Sequence, residues 1–340
     1  MPTVSLCIPT YNAARFIAEA LDSAIAQTFD DIEVLVVDDG SKDETIEIAE
    51  RYARLDTRIS IHRNAQNLGL PGNWDRAREL ARGEWILFLF QDDLFAPRCV
   101  EEMLATARRT SATLVCCRRE VSFFPEVSPD QRKKFTAYMR ALEFAALFPG
   151  RDFIHAREFS SQVARTPLSN FVGEPSCVML HRDALEEFGR FNACMIQLVD
   201  FEYWTRIATR RGIAYVDEPL VTFRVHGKSA TSTNAQSTLR KDRLDGIILL
   251  HEFLHAPAYG PLRSSPRNYF LLSMHYFARI GQLKRSDAGR DPQDPSWTAA
   301  VDYYPPLQQR TAWSNAGEWL YRAYQGIRHL HPKSANGASQ

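Results

Sequence analysis

The 340-residue chain has no excess of either charge: 41 Lys and Arg stand against 41 Asp and Glu, for a formal net charge of +0. No whole-molecule field therefore draws it to nucleic acid or to an anionic membrane, and any such contact would need a local patch. Its six cysteines (Cys7, Cys99, Cys116, Cys117, Cys177 and Cys194) include no Cys-x-x-Cys pair and no zinc spacing. That excludes a zinc ribbon, and a chain of this size has no need of disulfide staples, so a reduced cytoplasmic setting is expected. Long apolar runs are missing too. The longest, Trp85-Ile86-Leu87-Phe88-Leu89-Phe90, has the length of a strand, far from the ~18 residues that cross a bilayer. The first residues carry no basic leader, and there is no repeat or low-complexity tract. At 45% hydrophobic residues the composition is that of a globular protein, which excludes disordered and fibrous classes.

What is present is an alternation of buried strands and amphipathic helices, the signature of βαβ units and a mostly parallel sheet. Strands are expected over residues 4–8, 32–37, 59–62 and 85–90. Between them, Ile17, Leu21 and Ile25, then Ile46, Ala49 and Ala53, recur at helical spacing, and a further helix is expected over 74–81. Pro97 opens a helix with Val100, Leu104 and Ala107 inward, followed by a strand over 113–117. The pattern weakens over 118–175, which reads as an insertion with one helix at 132–147. It returns as a strand at 176–180, a helix over 200–211 and strands at 214–216 and 220–225. Helices around 239–254, 269–283 and 313–330 make a C-terminal extension. The fold class expected is thus α/β, with helices flanking a mostly parallel sheet.

Ligands of open α/β sheets bind beyond the carboxyl ends of the strands. Three such ends here carry Tyr11, Asp38-Asp39 and Asp92-Asp93. Adjacent carboxylates repel and raise each other's pKa unless a cation or donors offset them, so Asp92-Asp93 points to a divalent-ion site as well as to a turn. Oxygen ligands favour Mg²⁺ or Mn²⁺, which commonly bridges carboxylates to ligand phosphates.

Residues 3–12 (Thr-Val-Ser-Leu-Cys-Ile-Pro-Thr-Tyr-Asn), 34–41 (Val-Leu-Val-Val-Asp-Asp-Gly-Ser), Asn67-Leu68-Gly69 and Gln91-Asp92-Asp93 resemble, in order and spacing, the inverting family 2 glycosyltransferases of the GT-A fold. Val199-Asp200-Phe201-Glu202-Tyr203-Trp204 resembles that family's acidic catalytic motif, and Phe223-Arg224-Val225-His226 its closing segment. The resemblance covers about residues 3–232, poorly through the insertion. It implies a GT-A-type domain over 1–232, with a nucleotide-binding half (1–117), the insertion (118–175) and an acceptor and catalytic half (176–232), then a helical extension over 233–340.

It also implies the chemistry. A nucleoside diphosphate leaves as the anomeric carbon becomes oxocarbenium-like, a Mn²⁺ or Mg²⁺ ion acts as Lewis acid on the diphosphate, and one base accepts the acceptor's proton. By resemblance Asp93 holds the metal, Asp92 the ribose or the metal, and His226 is a third metal or phosphate ligand. Arg224 offers its planar fork to the diphosphate. Asp39 accepts a hydrogen bond from the base, Tyr11 stacks on it or packs beside it, and Pro9, Thr10, Asn67 and Gly69 line the nucleotide pocket. Asp200 is the candidate base, at a helix start where the dipole would keep it ionised at neutral pH; Glu202 is the alternative, on roughly the opposite helix face. Gly173 and Glu174 would line the acceptor side. Two usual acids of the family are replaced, by Phe90 and Val199.

The expected partners are a nucleotide-sugar donor, UDP-linked by family frequency with dTDP and GDP as alternatives, and a glycan or lipid-linked glycan acceptor. No nucleic-acid partner is expected. Trp313, Trp319, Tyr321, Arg322, Tyr324, Arg328 and His329 form an aromatic and basic mixture that suits either packing on the domain or contact with the inner face of a membrane. A nucleotide-sugar-binding scaffold and a metal-dependent hydrolase are the rival readings.

Overall fold

The computed structural model describes residues 1–227, 241–287 and 295–308. Nine strands form one sheet: β1 (Val4–Thr10), β2 (Ile32–Asp38), β3 (Ile59–Arg63), β4 (Trp85–Phe88), β5 (Leu94–Phe95), β6 (Leu114–Phe123), β7 (Phe153–Ile154), β8 (Val178–His181) and β9 (Ile213–Val225). Their order is β3-β2-β1-β4-β8-β6-β9-β5, with β7 also on β9. The four strands at the β3 end run parallel. β8 then enters antiparallel to both β4 and β6, while β6 and β9 are parallel. The result is a mixed sheet whose parallel part is the one the sequence pattern describes.

Every residue of β1 and β2 is buried, as happens when helices cover both faces of a parallel sheet. Those helices are α1 (Ile17–Ile25), α2 (Thr45–Ala53), α3 (Gly69–Leu80) and α4 (Cys99–Thr110). Thr10 lies opposite Asp38, so the carboxyl ends of the two strands are level.

Helix α3 starts five residues before the position expected from its apolar face. Gly69, Pro71 and Gly72 read as loop, but proline is tolerated in a first helical turn, where its missing N–H has no partner to lose. β9 is one strand rather than two. Pro219 falls where the β6–β9 register shifts around Arg118, and a bulge is where a strand admits a residue without an N–H.

The insertion holds more than its expected single helix. α5 (Pro129–Ala141) begins with a capping box between Ser128 and Gln131; α6 (Phe144–Leu147), β7 and α7 (Ala156–Arg165) follow. Phe159, Val163 and Ala164 bury the inner face of α7. Next come α8 (Arg182–Phe188), α9 (Val199–Arg211) and the C-terminal helices α10 (Lys241–His255), α11 (Pro266–Asp287) and α12 (Trp297–Tyr303). The helix expected at 313–330 lies outside the described residues. No described helix is long and apolar enough to cross a membrane.

The C-terminal helices dock on α9 through a buried charge. Glu202 is 2% exposed, pairs with Arg206 at 2.5 Å and accepts from the Tyr259 hydroxyl. Removing one partner of a buried pair strands the other charge. Glu202→Ala is therefore expected to cost about 3 kcal/mol of stability, read by urea denaturation.

Candidate active site

The ends of β1, β2 and β4 meet at one edge, and side-chain hydrogen bonds stitch the loops that follow them. After β1, Tyr11 is 48% exposed, and its backbone is held by Gln91: Tyr11 N donates to Gln91 Oε1 at 2.8 Å, and Gln91 Nε2 donates to Tyr11 O at 3.4 Å. Asp38 and Asp39 then divide their work. Asp38 accepts from the backbone N–H of Gly40 (3.2 Å) and of Ser41 (3.1 Å), and closes its own turn. Asp39 reaches across to the loop before α3, accepting from Asn64 Nδ2 (2.9 Å), Leu68 N (2.8 Å) and Gly69 N (3.0 Å).

Helix α3 has no side-chain cap of its own, so Asp39 supplies one from a different strand. Asn67 completes the link by donating to Asp39 O at 2.8 Å. Gly69 suits its place because its φ is +71°, a conformation that favours glycine. Pro9 and Thr10 form the buried end of β1, with Thr10 Oγ1 donating to Asp38 at 3.4 Å. Together these residues frame a loop-lined edge with the Tyr11 ring exposed beside it.

The two carboxylates after β4 occupy different environments. Asp93 is 1% exposed and has both oxygens engaged: Ser176 Oγ donates to one at 2.7 Å and Arg224 N to the other at 3.2 Å. Burial first, and then the neighbouring Asp92, push its pKa well above the ordinary carboxylate value. Asp92 is the more open of the two and sits 2.9 Å from His226 Nε2. The His226 ring clusters with Phe16 and Phe124, with centroids at 4.3 and 5.6 Å.

Arg224, expected to face a diphosphate, is instead turned inward at 5% exposure. Its Nε donates to Asp92 O and its Nη1 pairs with Glu19. Phe90 packs on Trp74 at 5.1 Å, and Val199 is buried in the core. Both positions that lack a family acid are thus apolar packing positions.

Asp200 lies in the first turn of α9. Phe201 N donates to its Oδ1 at 2.6 Å and Asn170 Nδ2 to its Oδ2 at 3.0 Å. The expected ionisation at neutral pH is not what this setting gives. Burial pushes the Asp200 pKa up to about 8 against the opposing Phe201 N–H bond, with Glu174 adding to the rise. Desolvation outweighs the helix terminus here. Glu202, the alternative base, is bound to Arg206 and Tyr259.

Glu174 pairs with Arg119 at 2.9 Å. Gly173 has φ +121°, and a Cβ there would come within 2.9 Å of Arg119 Nη1. The Gly173 carbonyl accepts from both Asn170 Nδ2 and Trp204 Nε1 at 3.1 Å.

No three His, Cys, Asp or Glu side chains come together as a metal cage among the described residues. The hard divalent ions do not require one, since they are commonly held by one or two carboxylates plus ligand phosphates. Asp92, beside His226, and Asp93, with one hydrogen bond on each of its oxygens, are the two carboxylates of that pattern.

Comparison with known proteins adds the family. The model of "Glycosyl transferase family 2" matches residues 5–189, more than half of the chain. The chain belongs to glycosyl transferase family 2. It is 32% identical over 229 residues to the "Putative glycosyltransferase EpsH" of Bacillus subtilis (strain 168), covering 66% of this chain and 61% of that protein. It is 31% identical over 241 residues to an uncharacterized protein of Mycobacterium tuberculosis (strain CDC 1551 / Oshkosh), covering 70% and 72%. The fold of this glycosyltransferase resembles that of S. aureus TarS 1-349 in complex with UDP-GlcNAc. The TM-score is 0.63 at 17% identity, over 96% of this chain and 92% of that one. It also resembles a mannosyltransferase of Pyrobaculum calidifontis in complex with GDP-Man and Mn²⁺, with a TM-score of 0.57 at 17% identity, over 98% and 88%.

Three residues of this site had no role in the sequence reading: Gln91, Asn170 and Ser176. Gln91 stood inside a quoted motif, Ser176 at the start of the strand expected at 176–180, and Asn170 three positions before Gly173, a common turn spacing. Their partners could not be read from local pattern. Asp39→Ala removes three bonds to the start of α3 and is expected to lower stability by about 2 kcal/mol, measured by thermal or urea unfolding.

Proposed function

We propose that the protein transfers a single sugar, with inversion, from a nucleoside-diphosphate sugar to a hydroxyl of a glycan or lipid-linked glycan, in the assembly of bacterial cell-surface polysaccharide. A UDP-sugar is the first donor to test. The reading rests on one observation above all. Asp200 is a buried carboxylate held by neutral donors only, Asn170 Nδ2 and Phe201 N, whereas the neighbouring acids Glu174 and Glu202 are each paired with an arginine. An inverting displacement needs one such base.

In this reading the Tyr11 ring packs against the donor's base or beside it, and Asn67 and Gly69 border the nucleotide. Asp92 and Asp93, with His226, would hold a Mn²⁺ or Mg²⁺ ion, which supplies Lewis-acid stabilisation of the leaving diphosphate. Asp93, through Ser176 and Arg224 N, keeps the loop that carries Asp92 in place. On the opposite side Asp200 accepts the proton of the acceptor hydroxyl at a carboxylate oxygen, beside Gly173 and Glu174. Contact with the inner face of a membrane belongs to the same proposal.

Thermal unfolding with Mn²⁺ or Mg²⁺ against UDP, GDP, dTDP, CDP and their common sugars tests the donor site. A ligand at 100 times its Kd adds about 2.7 kcal/mol. A metal-dependent shift confined to one base and lost in Asp92→Ala or His226→Ala is expected; no shift with any nucleotide would contradict the assignment. Asp200→Asn should abolish turnover and keep that shift, while persistent product release without acceptor would favour the hydrolase.

The pH dependence has a definite sign. Below its raised pKa, Asp200 carries a proton and cannot accept another. The kcat/KM should therefore rise with pH through about 8 and fall tenfold per unit on the acid side.

A further inference from the structure

We propose that Asn170 is a positioning residue for Asp200, its side-chain amide both fixing the direction of the base and favouring its ionised form. This rests on the reading of Asp200 as the base. The Asn170 amide makes four bonds. Its Oδ1 accepts from Val172 N (3.2 Å) and Gly173 N (3.0 Å), and its Nδ2 donates to Gly173 O (3.1 Å) and to Asp200 Oδ2 (3.0 Å). Three of them close the turn at 170–173, and the fourth leaves it for α9.

The two backbone donors on Oδ1 settle which end of the amide is oxygen. They also pin the NH₂ group, so it cannot rotate away from Asp200. A residue needed only for the turn would do with the acceptor oxygen, which an aspartate also has. The N–H is the part that serves Asp200. With Phe201 N on the other oxygen, the carboxylate is held at both ends and its plane is fixed.

The charged and titratable groups around Asp200 do not supply this service. Glu174 raises its pKa, Arg119 only weakly opposes that rise, and Tyr138 of α5 is itself affected by the Asp200 charge. A hydrogen bond to the ionised carboxylate acts against burial, the main force keeping it protonated.

Two variants separate positioning from turn formation. Asn170→Ser keeps a neutral acceptor oxygen for Val172 N and Gly173 N, presents no amide N–H to Asp200 and adds no charge beside it. Asn170→Ala removes both. The direct readout is a ¹³C carboxyl NMR titration of the donor-free full chain from about pH 5 to pH 10, with the Asp200 resonance assigned by its loss in Asp200→Asn. In both variants the Asp200 midpoint is expected to rise by about one pH unit or more, a tenfold loss of the ionised form at neutral pH. The acid limb of nucleotide-sugar turnover should move with it, while the donor-induced thermal shift stays unchanged.

A midpoint within about 0.3 units of the parent in a folded Asn170→Ser protein would overturn the proposal, leaving Asn170 as a turn residue. That variant decides alone if Asn170→Ala does not fold. A moved midpoint in a protein that turns over no nucleotide sugar would instead contradict the transferase reading and leave the Asn170–Asp200 bond standing.

Discussion

A carboxylate taken out of water must be met by donors, and the ends of this sheet are organised around three that have been. Asp39 is met by the backbone of the loop before α3, Asp93 by Ser176 and the Arg224 backbone, and Asp200 by Asn170 and Phe201. Apart from the bond between Phe201 and its neighbour Asp200, each joins segments distant in sequence. Asn170 and Ser176 also lie on one short segment, with Gly173 and Glu174 between them. The Asp200 carboxylate and the loop after β4 are thereby tied to the same piece of backbone. Preorganisation of this kind matters because reacting groups held about an ångström out of place lose much of their advantage.

The arginines near the site are committed elsewhere. Arg224 is bound to Glu19, Arg119 to Glu174 and Arg206 to Glu202. Each neutralises an acid or ties down a backbone group, and on Arg224 Nη2 alone is left, buried and without a hydrogen-bond partner. In the proposed mechanism the positive charge that a diphosphate needs therefore falls to a divalent ion beside Asp92 and His226. The same economy appears in the packing: Phe90 and Val199, where relatives often carry acids, join the aromatic cluster and the core.

Much of this was legible in the sequence because it is local. Continuous apolar runs marked β1 and β2, and the acids that interrupt them marked the functional edge. What was not legible depends on partners far along the chain. Asn170 and Asp200 are 30 positions apart, and Ser176 and Asp93 are 83 apart. The pairing of Arg224 with Glu19, 205 positions away, likewise leaves no trace in local pattern. The raised pKa of Asp200 was missed for a related reason: a helix start is visible in sequence, but the depth at which it is buried is not. Proline and glycine misled at α3 and at Pro219, where tertiary contacts overrode their usual punctuation.

The stereochemistry of transfer tests the single-base mechanism most directly. With the donor that binds and a hydroxyl acceptor that it glycosylates, ¹H NMR of the glycoside formed reports its anomeric configuration. A product of configuration opposite to the donor's, formed by the parent protein and not by Asp200→Asn, is the predicted result. A product that retains the donor's configuration would require a second displacement and would contradict a mechanism built on Asp200 alone.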